Sequence, residues 1–220
     1  MNKKIVVVDI CYTLFKSNTT FDFFKYCANT AKFSITKKVF LKILLSKSSP
    51  VYWTVAVIEK LIKKDLFKYF TVKLLAGKYV NDVDTWAEKF YFDFLKSREI
   101  DITMRIVKDF DAFEVILISA TLTPIAKAIA KNMEIETFLS TQLEVINGRY
   151  TGKIIGELSG KKLEALYAFK KEKVLIDVMM TDNLTDRQIM EAADCKYAVC
   201  HNKEQEKFWS SLPKINILNV

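Results

Sequence analysis

A doubly wound α/β fold, its parallel sheet interrupted after the first strand by an all-helical insert, is predicted by three patterns in the sequence. Residues 4–10, KIVVVDI, form a continuous apolar run, the mark of a strand buried on both faces of a parallel sheet. From Thr20 to about Leu95 apolar residues recur at helical spacing with almost no glycine. Beyond residue 100, short apolar runs alternate with helical patterns, the rhythm of βαβ units.

In chain order, the first strand carries Asp9 near its end. The stretch TVAVIEKLIKKDLFKYFTVKLL is typical of the insert, which Pro50 after SKSS and Gly77 after KLLA divide into several helices. A helix over about 101–111 precedes a second buried strand, EVILIS, at 114–119. A turn follows, with a helix opened by Thr123-Pro124, because proline is pre-organised for a first helical turn. The runs 140–146 and 149–155 flank Asn147-Gly148, whose residues accept the positive φ angles of a tight hairpin. A helix, KKLEALYAFKKE, leads to a strand within VLIDVMMTD; a helix over 185–193 and the strand YAVC close the pattern. The expected division is a Rossmann-like core at 1–15 and 101–220, containing the β-hairpin, and a helical cap domain at 16–100.

Composition narrows the chemistry. Half of the 220 residues are apolar and 27% are charged, as in a folded chain. The apolar runs at 39–45 and 51–58 are short of a membrane span and flanked by lysines. The start runs into a strand without a signal-peptide layout, so a cytoplasmic location is expected. Cys11, Cys27, Cys195 and Cys200 lack metal-ligand spacing, and one histidine, His201, at a strand end, argues against histidine-based catalysis. The net charge is +8, and residues 16–100 hold the whole excess, with 16 Lys and Arg against 8 Asp and Glu. Interleaved with aromatic residues at helical spacing, these charges read as solvated faces over core stripes, so nucleic-acid binding is not expected; the apolar segments VFLKILL and PVYWTVAVI are expected to pack, with peripheral membrane contact the open alternative. Oligomeric state is left open.

In open parallel sheets ligands sit at the carboxyl ends of the strands. Asp9, Ser119, Asp182 and Asp186, with a lysine at 161 or 162, fall there. Singly, each has a bland reading: a strand-end Asp is more often a turn or cap residue, and Asp182 and Asp186 could both cap the next helix. Their coincidence at one end of one sheet favours a site for an anion and a metal.

The segments DICYT (9–13), ILISAT (116–121), GKKLEAL (160–166) and MTDNLTD (180–186) resemble, in order, the four motifs of the haloacid dehalogenase superfamily. The stretch SATLTPIAKAIAKNMEIETFLSTQLEVINGRYTGKI resembles its phosphoserine-phosphatase-like branch, and LLAGKYVNDVDTWAEKFYFDFL the helical cap of that branch. The resemblance implies a Mg²⁺-dependent phosphohydrolase or phosphotransferase acting on a small phosphorylated molecule. Asp9 would be the nucleophile, with Ser119, Lys162, Thr13 and the Ala120 backbone on the phosphate; Lys162 fits the motif better than Lys161. Mg²⁺ would be held by Asp9, Asp182 and the Cys11 backbone carbonyl, with Asp186 behind. The family usually carries a second Asp as general acid where this chain has Cys11, and slow turnover of simple monoesters follows. Tyr12, where a small or polar residue is common, is expected to pack, and Thr185 replaces a frequent Asn. The alternatives are a catalytically silent phosphate- and metal-binding protein and a phosphatase of phospholipid headgroups; haloacid dehalogenation is disfavoured.

Overall fold

A computed structural model describes residues 3–220. Among them, seven strands form one sheet: β1 (Ile5–Val8), β2 (Glu114–Leu122), β3 (Thr137–Ile146), β4 (Arg149–Gly156), β5 (Ile176–Thr181), β6 (Ala193–Cys200) and β7 (Ile215–Asn219). Their order is β4-β3-β2-β1-β5-β6-β7, parallel except for the β3–β4 hairpin. Asn147 (φ 51°) and Gly148 (φ 73°) turn that hairpin in the left-handed region, as the Asn-Gly pair requires.

The insert comprises α1 (Thr19–Asn29), α2 (Ile35–Leu45), α3 (Pro50–Ile62), α4 (Leu66–Val72) and α5 (Val80–Phe90), which runs into a π-helical turn at Tyr91–Leu95. Breaks fall where sequence chemistry puts them: the side chains of Asn18, Ser34, Ser49 and Asp65 accept from the first-turn N–H groups of four of these helices, and Pro50 opens α3. The rest of the chain adds α6 (Asp101–Lys108), α7 (Thr123–Asn132), α8 (Lys162–Lys170), α9 (Arg187–Glu191) and α10 (Lys203–Trp209).

Strand alternation divides the core between the two faces of the sheet. Val6, Val8 and Leu117 point into a cluster shared with α7 and with Phe23, Phe24, Val72 and Phe90 of the insert. Ile5, Val7, Ile116 and Met179 point the other way, onto Leu166, Ile189 and Trp209. Helices α2 and α3 stand further out, on a small cluster of Leu44, Val55 and Phe67.

Four boundaries differ from expectation. β2 continues past Ser119 to Leu122, with a register shift against β3 between those residues. The helix expected at 185–193 shrinks to a 3₁₀ turn at Leu184–Asp186 and the short α9, because Ala193 already pairs with Ile176 as the first residue of β6. β3 begins at Thr137 rather than 140. The chain does not close on YAVC: Asn202 caps α10, and β7 adds a parallel edge strand beside β6. Its alternating INILN is too short and too little buried to read as a strand in advance.

Candidate active site

Register brings the strand-end residues together. Val8 lies opposite Leu117 of β2 and Met180 of β5, so Asp9, Ser119 and Asp182 emerge at the same end of three adjacent strands. The Asp9 N–H donates to Met180 O at 2.9 Å, continuing the ladder and fixing the backbone of the carboxylate.

Lys162, first residue of α8, lies 3% exposed between two carboxylates. Its Nζ is 2.5 Å from Asp9 Oδ1 and 2.6 Å from Asp186 Oδ2. Burial alone pushes the ammonium down, but the two carboxylates outweigh it and the net direction is upward. Lys161 is exposed, so of the two adjacent candidates only Lys162 enters the cluster. Thr13 donates to Asp9 Oδ2 (3.1 Å) and Asp182 Oδ1 (3.2 Å) and accepts from the Asp182 N–H. Its hydroxyl thus joins the two carboxylates. Thr181, not foreseen, donates to Asp186 Oδ2 at 2.6 Å. The Thr185 hydroxyl donates to Asn183 Oδ1 at 3.0 Å.

Asp186 stands at the N-cap position of α9 but its side chain makes no capping hydrogen bond, and Asn183 caps the 3₁₀ turn. Burial, then the negative Asp9, pushes the Asp182 carboxyl up to about 8, and burial likewise raises Asp186. Asp186 Oδ1 is buried without a hydrogen-bond partner. Excess negative charge and an orphaned carboxylate oxygen are what a hard cation would relieve. No three Asp, Glu, His or Cys side chains among the described residues form a complete metal site by themselves. Mg²⁺ takes one or two carboxylates and fills its remaining positions with waters and phosphate oxygens. The residues fit such an ion.

Ser119 Oγ lies 3.1 Å from Thr121 Oγ1, which is 2.7 Å from Thr19 Oγ1, and Cys11 Sγ touches both threonines at 3.2 and 3.0 Å. Thr121 and Thr19 were not foreseen, although Thr121 sits two residues after Ser119 and so shares its strand face. Burial and then the negative Asp9 push the Cys11 thiol up, so it stays neutral at physiological pH. The Ala120 carbonyl accepts from Lys68 Nζ of α4 (3.0 Å) and Thr141 Oγ1 (2.9 Å), and Lys68 also pairs with Glu157 at 2.9 Å. This buried lysine ties the insert to the tip of β2.

Tyr12, expected to pack, is 42% exposed with a left-handed φ of 52°, its ring edge-on to His201. His201 Nε2 lies 2.6 Å from the Tyr12 carbonyl, and Gln205 Nε2 donates to the Asp182 carbonyl at 3.1 Å.

The fold and the cluster define a class: α/β proteins with buried acidic side chains gathered at the carboxyl end of a parallel sheet that carries a helical insert after its first strand. The family model of haloacid dehalogenase-like hydrolases matches residues 6–191, and the chain belongs to that family. Solved structures agree in fold. A protein of unknown function from Bordetella pertussis Tohama I is 16% identical with a TM-score of 0.80, over 99% of both chains. A phosphoserine phosphatase captured as a phospho-aspartyl intermediate analogue is 17% identical, TM-score 0.56, over 100% of this chain and 94% of that one. Cytosolic 5′-nucleotidase IIIB bound to cytidine is 14% identical, TM-score 0.66, over 98% and 80%. No curated protein matches the sequence.

Proposed function

We propose that this hydrolase is a Mg²⁺-dependent phosphohydrolase or phosphotransferase acting on a small phosphorylated molecule, with Asp9 as nucleophile. The observation that carries the reading is the buried Lys162 ammonium bridging Asp9 and Asp186 at the carboxyl end of the sheet, beside the Ser119 hydroxyl. A positive group fixed beside a carboxylate nucleophile suits a phosphoryl dianion, whose charge must be balanced before an anion can attack it.

In the proposed reaction an Asp9 oxygen forms a bond to phosphorus as the bond to the leaving oxygen breaks, giving phospho-Asp9. Ser119, the Ala120 N–H and Lys162 hold the phosphoryl oxygens, and Thr13 keeps Asp9 aligned. A Mg²⁺ ion held by Asp9, Asp182 and the Cys11 carbonyl, steadied by Asp186, would supply further positive charge beside the phosphoryl group. The leaving oxygen must take a proton, and the side chain at the usual place for the acid is the Cys11 thiol. A neutral thiol of raised pKa is a weak donor and no base, so monoesters with poor leaving groups turn over slowly and acyl or aryl phosphates suffer least. Water, or another acceptor, then attacks phosphorus as the bond to Asp9 breaks, restoring the carboxylate and carrying the phosphoryl group away as inorganic phosphate or on the acceptor. The insert at 16–100 serves in this reading as the cap that selects the substrate. With all four cysteines free, the setting we propose is cytoplasmic.

The test is turnover of p-nitrophenyl phosphate and acetyl phosphate with Mg²⁺, alongside Asp9→Asn. Turnover lost in the variant supports the enzyme. No turnover over a broad phosphate panel, with Mg²⁺ binding retained, would point to a silent binding protein instead.

A further inference from the structure

The sequence pattern reads the apolar segments of the insert as packed, yet two helices turn them outward. On α2, Ile35, Val39, Phe40 and Ile43 follow i, i+4, i+5, i+8 and are exposed, while Leu41 and Leu44 occupy the buried face. On α3, Trp53, Val57 and Leu61 form an i, i+4, i+8 stripe, widened by Ile58 and Ile62, and Val55 alone is buried. Exposure reaches 79% at Ile35, 75% at Leu61 and 58% at Trp53. The Trp53 indole N–H donates to Lys47 O at 2.8 Å, so the ring offers its apolar surface with its polar atom already satisfied.

The charge around this surface has one sign. Residues 31–64 contain eight lysines and one glutamate, a net +7 of the chain's +8. Lys42, Lys47, Lys60, Lys63 and Lys64 are exposed. The lone Glu59 faces inward, accepting from the Phe67 N–H. An apolar face holding a tryptophan and rimmed by lysines is complementary to an anionic bilayer surface, where acyl chains take the side chains and headgroups the ammoniums. A second copy of this chain is a poor occupant, since it would set +7 against +7. No helix among the described residues is long and apolar enough to cross a membrane, and at ~1.5 Å per residue the 11 and 13 residues of α2 and α3 suit lying along one.

We propose that the α2–α3 hairpin docks this protein reversibly on anionic membrane surfaces, inserting Trp53, Leu61 and Ile35 at the level of the headgroups. The experiment is flotation of the full chain with vesicles of phosphatidylcholine alone or with a quarter phosphatidylglycerol. Expected are co-flotation with the anionic vesicles only, loss of it in high salt, and a blue shift of tryptophan emission that Trp53→Phe removes. Each of Lys60→Gln, Lys63→Gln and Lys64→Gln should weaken partitioning about fivefold, from about 1 kcal/mol per lysine near the surface. Leu61→Ser combined with Ile35→Ser should abolish it with the thermal midpoint unchanged, both positions being exposed. Absence of flotation, equal binding to neutral vesicles, or a dimer in sedimentation that the same serine pair dissolves without vesicle binding would each overturn the proposal. The readout is binding, so it stands or falls apart from any phosphatase assay.

Discussion

Replacing Lys162 by methionine tests the electrostatic arrangement directly. Lys162 and Asp9 are each 3% exposed and Asp186 is 2% exposed, so the variant strands two buried carboxylates without their cation. Removing one partner of a buried ion pair costs roughly 3–5 kcal/mol. Protons relieve part of that: Asp182 already stands at about 8, and each pKa unit is worth about 1.4 kcal/mol, so acidification neutralises charge the missing lysine no longer balances. In EDTA at pH 8 the variant should lose about 3–5 kcal/mol in a urea titration and about 10 °C in thermal midpoint, at roughly 2–4 °C per kcal/mol for a chain of this size. At pH 5.5 the deficit should fall to less than half, and Lys162→Arg should recover part of it at either pH. A Lys162→Met protein within about 1 kcal/mol of the parent at pH 8 would refute the clamp between Asp9 and Asp186.

Three further outcomes follow from the same geometry. Cys11→Asp places a carboxyl where Thr19 and Thr121 can donate to it, and should raise turnover of p-nitrophenyl phosphate about 100-fold if the proton is limiting; an unchanged or lower rate rejects that account. Because the folded Asp182 carboxyl lies far above its unfolded value, the native state holds a proton the unfolded chain releases from about pH 4 upward. Stability without metal should therefore fall by several kcal/mol as pH rises from 4 through 8, and Mg²⁺ should flatten the slope, as urea midpoints at matched pH will report. Lys68→Met removes one of two donors to the Ala120 carbonyl and unpairs Glu157, with an expected loss of about 2 kcal/mol in urea and weaker phosphate protection in a thermal shift assay.

The strand-end acids were legible because each follows an apolar run, and the parallel register of β1, β2 and β5 then carries them to one place. Lys161 and Lys162 look alike as letters; the start of α8 decides between them by sending one side chain inward and the other to solvent. Thr19 and Thr181 gave no signal, since a threonine in a strand or at a helix start already has a local reason to be there, and Thr121 offered only its two-residue spacing from Ser119. The outward faces of α2 and α3 were hidden for a different reason: helical spacing shows that a stripe exists but not whether a neighbour covers it. The closing α10 and β7 were missed because seven polar-rich residues and five alternating ones carry too little periodicity.

The match to the family model ends at residue 191, but the contacts around the acidic cluster do not. Beyond that boundary, His201 and Gln205 reach back to the carbonyls of Tyr12 and Asp182, and the Gln205 carbonyl-type oxygen accepts from the His201 N–H at 2.8 Å, tying the two braces into one. The left-handed backbone at Tyr12 costs on the order of 1 kcal/mol, and it sits in the loop between Asp9 and Thr13. A chain trimmed to the recognisable family segment would keep every motif and lose the buttress that holds two of them in place. Grafting this domain, or shortening it for expression, therefore has to keep His201 and Gln205, whose contacts reach the carbonyls of Tyr12 and Asp182.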